Sequence, residues 1–248
     1  MVPKKAINAC FLRSYFTGAA FNFRGLQNIG LLYALEPVLG AMYRDEAALR
    51  EARGRYMWHF NTHPLWVPLL LGMFINLEQS VSREVLPSQG MVALKNTACY
   101  TLSGIGDSVF SGSLMPMWGL IMCCLLVSGL PWVALGVFLG AVALTQIFRL
   151  YTFSAGLRYG LGVIEKLRSY DIMQWGQRIK MLNGCLLGLL LYLIIPAPLA
   201  GLELLIIALG LAGGGWLIFR RKFPRFLVAA AAFVIFWGTE LNQWLYLG

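Results

Sequence analysis

Between Gly104 and Ile147 the chain carries a single charged residue, Asp107, in a run otherwise apolar and long enough for two helical crossings of a bilayer. A segment that is apolar on every face must be buried against lipid or other helices, and this rules out an ordinary soluble architecture for it. Asp107 stands near the start of the run, in Leu102-Ser103-Gly104-Ile105-Gly106-Asp107-Ser108. A carboxylate at mid-bilayer costs roughly 3 kcal/mol on insertion scales, so it is expected to face a protein-lined cavity or a partner. Gly104 and Gly106 are expected to let the backbone leave helical geometry and approach a ligand closely. Helices broken at a polar residue are how many transporters build substrate sites at membrane depth. The alternative role for Asp107 is to cap the helix that follows it.

Composition agrees with a membrane protein. The chain is 58% hydrophobic and 12% charged, against about 25% charged in soluble domains. Its net charge of +9 sits in Lys and Arg between apolar runs, as the positive-inside bias requires. No basic stripe interleaved with aromatics is present, which excludes a nucleic-acid partner. Cys10, Cys99, Cys123, Cys124 and Cys185 show no C-x-x-C spacing and read as small buried hydrophobes. His59 and His63 are four apart but have no acidic or cysteine ligand set nearby, and Pro64 breaks the helix they would need. No metal is expected there. Neither a Ser/His/Asp set nor H-E-x-x-H is present, so an intramembrane enzyme is the least favoured class.

The predicted fold is an all-α integral membrane protein, with several transmembrane helices, re-entrant hairpin segments and an N-terminal interfacial amphipathic helix. It reads as one domain over 1–248. Residues 1–58 hold interfacial and cytoplasmic helices, 59–180 re-entrant and core segments, and 181–248 C-terminal transmembrane helices. Residues 2–24 mix Lys4, Lys5, Arg13 and Arg24 with aromatics, suiting an interfacial helix. Residues 43–58 read as a solvated helix with a Glu46–Arg50 pair. Pro64–Leu77 is apolar but too short to span, hence re-entrant. Gly129-Leu130-Pro131 marks a turn between two crossings. Residues 148–180 are rich in Lys and Arg and read as a solvent-side stretch. Crossings follow at Met181–Ile195, Leu199–Phe219 and Phe226–Leu247, and the basic loops 148–180 and 220–225 fall in the cytoplasm.

Three blocks together resemble the IID subunit of the mannose/fructose/sorbose family of sugar phosphotransferase systems. The first is Phe11-Leu12-Arg13-Ser14, Asn22-Phe23-Arg24, Leu26-Gln27-Asn28-Ile29-Gly30 and Pro37-Val38-Leu39. The second is His59-Phe60-Asn61-Thr62-His63-Pro64, Leu71-Gly72 and Leu77-Glu78. The third is Leu94-Lys95, Gly104-Ile105-Gly106-Asp107, Phe110, Gly112 and Pro116, with a weaker continuation through Arg149, Gly156 and Tyr159-Gly160. The blocks cover roughly residues 10–165. The resemblance implies a non-catalytic multi-pass subunit of the bacterial inner membrane, with no phosphorylated residue and no cofactor of its own. It would pair with a IIC membrane subunit, in a trimer of IIC–IID pairs, to pass a hexose or amino-hexose to the phosphoryl carriers IIB and IIA. The chain departs from the family pattern at Tyr100-Thr101, Ser111, Met115, Glu36 and Gln79, and its C-terminal region is shorter, so the sugar is not carried over.

Nine residues form the expected substrate site. Asp107 leads it, with Ser108 beside it in a role that is at least structural. Glu78 is the second carboxylate, or a membrane-edge charge. Asn61, Thr62 and His63 offer donors and acceptors for hydroxyls, or cap the re-entrant segment. Lys95 would neutralise a carboxylate across the cavity or snorkel to the interface. Gln27 and Asn28 suit sugar contacts or subunit packing. Two other classes compete: a self-sufficient secondary transporter or channel, and a divergent scaffold that no longer transports.

Overall fold

A short helix too apolar for water and too short for the bilayer organises the chain. Helix α4, Val67–Val81, starts with Pro68 in its first turn, where a missing N–H costs nothing. Its 15 residues reach about 22 Å, against a hydrocarbon core of about 30 Å. Every residue from Val67 to Ile75 is buried. The expected re-entrant segment is therefore a helix sheathed in protein. The structure, a computed structural model, describes residues 2–194.

The sheath comes from helices on both sides in sequence. Helices α1 (Lys4–Arg13), α2 (Asn28–Met42) and α3 (Glu46–Tyr56) precede α4. Helix α5 (Ser88–Gly106) follows and runs without a break through a π-helix, Asp107–Leu114, into α6 (Met115–Val127). Helix α7 (Pro131–Tyr159), the short α8 (Gly162–Ser169) and α9 (Ile172–Ile194) complete the described part. No strand occurs among the described residues. Residues 1–188 form one compact unit, and residues 189–248 a second that lies almost wholly outside the described part.

Three helical segments have the length and composition of membrane spans: Ser88–Val127, Pro131–Tyr159 and Ile172–Ile194. The first, 40 residues long, measures about 60 Å at helical rise, roughly twice the hydrocarbon thickness, so only part of it can face lipid. Gly129 adopts φ +73° in the turn between α6 and α7, where the sequence placed it. Trp132, Phe138, Leu139 and Leu144 on α7 are exposed, as a lipid-facing surface requires.

Helices α4 and α7 touch backbone to backbone. A Cβ on Gly72 would strike the Phe153 carbonyl and come within 2.8 Å of the Leu157 nitrogen; one on Gly156 would strike the Leu69 carbonyl and approach the Met73 nitrogen to 2.9 Å. Small residues that let helices approach this closely are the main means of helix association where lipid removes the hydrophobic driving force. A Cβ on Gly136, Gly140, Gly184 or Gly188, by contrast, would meet nothing within 4 Å among the described residues. Asn76 then seals the end of α7: its Nδ2 donates to the Leu157 carbonyl at 3.1 Å, and Gly160, at φ +52°, leaves room for its side chain.

Several boundaries differ from the sequence reading. The N-terminal helix ends at Arg13, followed by a 3-10 turn over Ser14–Phe16. Residues 148–159 are not a solvent-side stretch but the last turns of α7; Arg149 there is 7% exposed and used inside the fold, whereas Arg158 is exposed. Helix α9 begins at Ile172 rather than Met181, because Arg178 and Lys180 sit within it. Cys123 and Cys185 lie exposed, whereas Cys10, Cys99 and Cys124 are buried as expected. The crossings expected at Leu199–Phe219 and Phe226–Leu247 lie outside the described residues.

Replacing Gly72 or Gly156 by Ala should destabilise the protein by about 1–3 kcal/mol, the usual range for overpacking. Gly104, whose Cβ would meet open space, should gain about 0.5–1 kcal/mol from the same change. Thermal unfolding of the detergent-solubilised protein measures both, and equal effects at Gly72 and Gly104 would count against the close contact.

Candidate functional site

The site is built where the segment 59–66 lies along α5 and the π-helix. Pro64 keeps His63 out of helical geometry. The Leu65 amide donates to His63 Nδ1 at 3.3 Å, which leaves Nε2 as the protonated nitrogen of a neutral ring. His63 packs on Phe110, with ring centroids 4.9 Å apart, and Trp66 packs on the same ring at 5.1 Å. Gly106 makes that approach possible, since a Cβ there would come within 2.7 Å of Trp66 Cδ1. Gly104 has no such role. The glycines therefore do not break the helix as the sequence suggested; one of them admits the neighbouring segment. Burial pushes the His63 imidazole below its ordinary value, and the Asp107 carboxylate partly opposes this.

Asp107 stands at the α-to-π transition, exposed on the surface of the chain. Its carboxylate caps nothing and joins no salt bridge among the described residues. Such π segments are rare and cluster at functional sites. This one is held by polar contacts from α9. Ser113 Oγ donates to the Ser108 carbonyl at 2.8 Å and, in a second contact, lies 3.1 Å from the Gly176 carbonyl. Asn183 Nδ2 donates to the Ser113 carbonyl at 2.9 Å. Lys180 Nζ lies 3.3 Å from Ser108 Oγ. Gly176, Lys180 and Asn183 thus present one stripe of α9 to the π-helix.

Glu78 and Lys95 lie elsewhere, in a buried network at the end of α4. Glu78 is fully buried, and its two oxygens accept four hydrogen bonds: from Arg55 Nε at 3.0 Å, Tyr56 Oη at 2.8 Å, Arg55 Nη2 at 2.8 Å and Tyr43 Oη at 2.6 Å. No acceptor site is left for a cargo hydroxyl. Lys95 Nζ donates to the Arg55 carbonyl at 2.6 Å and lies 5.6 Å from the centre of the Tyr56 ring. Burial pushes both tyrosine phenols well up, with Glu78 reinforcing the shift through its charge and hydrogen bonds, so they act as donors. Glu36 also has a partner, Arg53 of α3, which it meets through both carboxylate oxygens; the expected Glu46–Arg50 pair is replaced by Arg55–Glu51 at 3.1 Å.

The nine sequence candidates therefore fall into three groups. Asp107, Ser108, Thr62 and His63 lie at the junction of 59–66 with the π-helix. Thr62 is buried with its Oγ1 unpartnered among the described residues, and neighbouring Asn61 is exposed. Gln27 and Asn28 tie the N-terminal loop to that junction: Gln27 Oε1 accepts from the Thr62 amide at 3.3 Å, and Asn28 Nδ2 donates to the Met57 carbonyl at 2.6 Å. Glu78 and Lys95 form the third group, in the buried network. Sequence reasoning passed over Lys180, Asn183 and Arg55 as site or network members. It also gave Arg149 no role, although its guanidinium bonds the Pro64 carbonyl at 3.3 Å and Ser14 Oγ at 3.1 Å. The available signal was a cation inside a span-length helix, which is uncommon without a purpose.

Span-length helices around a sheathed half-length helix define an all-helical integral membrane protein, with a cluster of polar groups, some unpaired among the described residues, at a π-helix within one span-length segment. A family model for the PTS system mannose/fructose/sorbose family IID component matches residues 1–217, and the chain belongs to that family. It is 28% identical over 193 residues to the fructose permease IID component of Bacillus subtilis (strain 168), covering 76% of this chain and 67% of that protein. The mannose-specific EIID component of Escherichia coli (strain K12) is 28% identical over 156 residues, covering 62% of this chain and 54% of that protein. The chain thus spans between about half and two thirds of these relatives. Among solved structures, one described only as a membrane protein superposes with a TM-score of 0.70 at 17% identity, covering 94% of this chain and 95% of that one. A chain from the mannose transporter ManYZ in complex with microcin E492 gives 0.57 at 18%, covering 95% of each. Both share the fold.

Replacing Glu78 by Gln, or Arg55 by Ala, should cost about 3–5 kcal/mol of stability by leaving a buried charge unpaired. Thermal unfolding reads this directly, and a loss of ligand binding at unchanged stability would instead return Glu78 to the polar site. Because the folded-state pKa of His63 is depressed, its contribution is present above pH 6.5 and is lost as pH falls through the folded value. Thermal stability should therefore drop on acidification below pH 6.5, and His63→Asn should flatten that part of the profile.

Proposed function

We propose that this chain is the IID membrane subunit of a sugar phosphotransferase permease in a bacterial inner membrane. In this reading it forms, with a IIC subunit, the path by which a mannose-type hexose reaches the phosphoryl carrier IIB, itself charged through IIA. The observation that carries the reading is Asp107: an exposed carboxylate, unpaired among the described residues, within a span-length helical segment. Left against lipid it would cost roughly 3 kcal/mol, so a polar cargo and a covering protein surface are its natural partners. The names of the relatives, permease components for fructose, mannose and sorbose, support a hexose as that cargo.

The chemistry assigned to the chain is binding and release. The Asp107 carboxylate accepts from sugar hydroxyls. Ser108, Thr62 Oγ1 and Asn61 supply further donors and acceptors, and neutral His63 offers its Nε2 proton. Glu78, Lys95, Gln27 and Asn28 hold the scaffold. Phosphoryl transfer belongs to the carriers. Assembly as a trimer of IIC–IID pairs is part of the same proposal.

Expressed alone, the chain should support no hexose uptake into vesicles, whereas co-expression with its IIC partner should yield a co-purifying complex that binds a hexose. Asp107→Asn should weaken that binding about tenfold or more, the worth of a charged hydrogen bond, with assembly intact. Uptake by the single chain, driven by an ion gradient, would overturn the proposal in favour of a secondary transporter.

A further inference from the structure

We propose that the cleft between α5, α8 and the start of α9 holds one phospholipid of the phosphoethanolamine class. An acyl chain fills the cleft, the phosphate meets Arg168 and the ammonium meets Asp171. The cleft measures about 210 Å³, below the roughly 300–1,000 Å³ of an ordinary small-molecule pocket. Its walls are Leu102 and Ile105 of α5, Ile164 and Leu167 of α8, and the first residues of α9. Such walls suit a flexible hydrocarbon chain and give the hydroxyls of a hexose few partners. Arg168 and Asp171 line the same cleft. The Asp171 amide donates to the Arg168 carbonyl at 3.2 Å, so the two stand in one turn of the chain. Yet they form no ion pair with each other or with any other described residue. The proposal does not depend on the permease reading.

What brings a lipid to this cleft is its level in the membrane. Helices α7 and α9 both have the length and composition of spans, so the connector 160–171 lies at one membrane face. Within it α8 is amphipathic: Val163 is buried, Ile164 and Leu167 are half-buried, and Glu165, Lys166 and Arg168 are exposed. A helix of that pattern between two spans lies in the headgroup plane. Tyr159, Tyr170 and Trp175 are exposed beside it, as an interfacial aromatic belt requires. Arg158, Lys166, Arg168 and Arg178 outnumber Glu165 and Asp171 here, an excess that draws phosphate. Asp171 then selects among headgroups. Its charge repels one that is only anionic, and a trimethylated nitrogen brings no N–H for its carboxylate to accept. A primary ammonium beside a phosphate answers both residues.

The test uses the purified full chain in detergent, titrated with phosphatidylethanolamine, phosphatidylcholine and phosphatidylglycerol of identical acyl chains. Native mass spectrometry counts the lipid held. The wild type should hold one phosphatidylethanolamine about threefold or more tightly than either other lipid, within the reach of an exposed ion pair. Asp171→Asn should erase the preference over phosphatidylcholine. Arg168→Gln should weaken both of these lipids alike and keep their ratio. Both residues are exposed, so neither change endangers the fold. Leu167→Trp, which fills the cleft, should remove the bound lipid whatever its headgroup. Thermal unfolding checks that this variant is folded, and Ile164→Phe takes its place if it is not. Equal binding of the three lipids by the wild type, or a preference that survives Asp171→Asn, overturns the proposal. So does a cleft that takes none of them, which would assign it to another part of the protein or to a covering subunit.

Discussion

The contact on which the other contacts rest is the glycine-to-glycine approach of α4 and α7. A half-length helix as apolar as α4 is stable only if protein covers its whole circumference, and α7 is the largest single part of that cover. With Gly72 and Gly156 bare, backbone meets backbone, and dispersion between close-packed atoms replaces the hydrophobic drive that lipid cannot supply. The contact fixes the height of α4 against a spanning helix, and everything attached to either end of α4 is set by it. At the N-terminal end Trp66 and His63 are placed against Phe110 of the π-helix. At the C-terminal end Glu78 is placed under Arg55, Tyr43 and Tyr56.

These two ends use polar chemistry in opposite ways. The Glu78 end is closed: each lone-pair direction of the carboxylate has a donor, and α3 is bound over α4 by a charge pair that water cannot reach. Such a pair adds little net stability over an apolar substitute, but it is unforgiving of half-removal, which makes it a device for fixing the position of α3. The Asp107 end differs: among the described residues the carboxylate has no ion-pair partner, Lys180 Nζ meets only Ser108 Oγ, and Asn183 Oδ1 is unpartnered. The same residue types thus serve as scaffold in one place and, in the function we propose, as binding groups in the other, and the difference lies in how many partners the fold supplies.

That difference explains what was legible in the sequence. The turn at Gly129 and the charged α3 follow from local composition and period and stand where the sequence put them, whereas the described spans are longer than the apolar runs because they take in flanking polar residues. Asp107 stood out because it interrupts an apolar run. Glu78 and Lys95 looked alike as site candidates because their partners are remote: Arg55 is separated from Glu78 by 23 positions, Tyr43 by 35, and the Lys95 acceptor by 40. No local pattern reveals such saturation. Lys180 was hidden for the converse reason. A cation at the start of an apolar run reads as a membrane-edge charge, and only the packing of α9 on Ser113 and Ser108 places it within the polar site. The π-helix had no sequence signature, because its widened turns are held by contacts from another helix.

The departures from the family pattern bear on whether the site is intact. Glu36, an acidic intrusion in an apolar helix, is matched by Arg53, so it is a compensated change rather than a scar. Tyr100 stands where the family has glycine, and it stacks on His59 at 6.5 Å, adding a contact between 59–66 and α5. Ser111 and Met115, two further departures from the family pattern, are both exposed, one in the π-helix and one at the start of α6. A decayed site would be expected to lose its costly unpaired charges first, since nothing would then offset their burial in lipid. Here Asp107, the carboxylate of the Gly104-Ile105-Gly106-Asp107 block, is present, which on our reading favours a site that still meets a polar cargo.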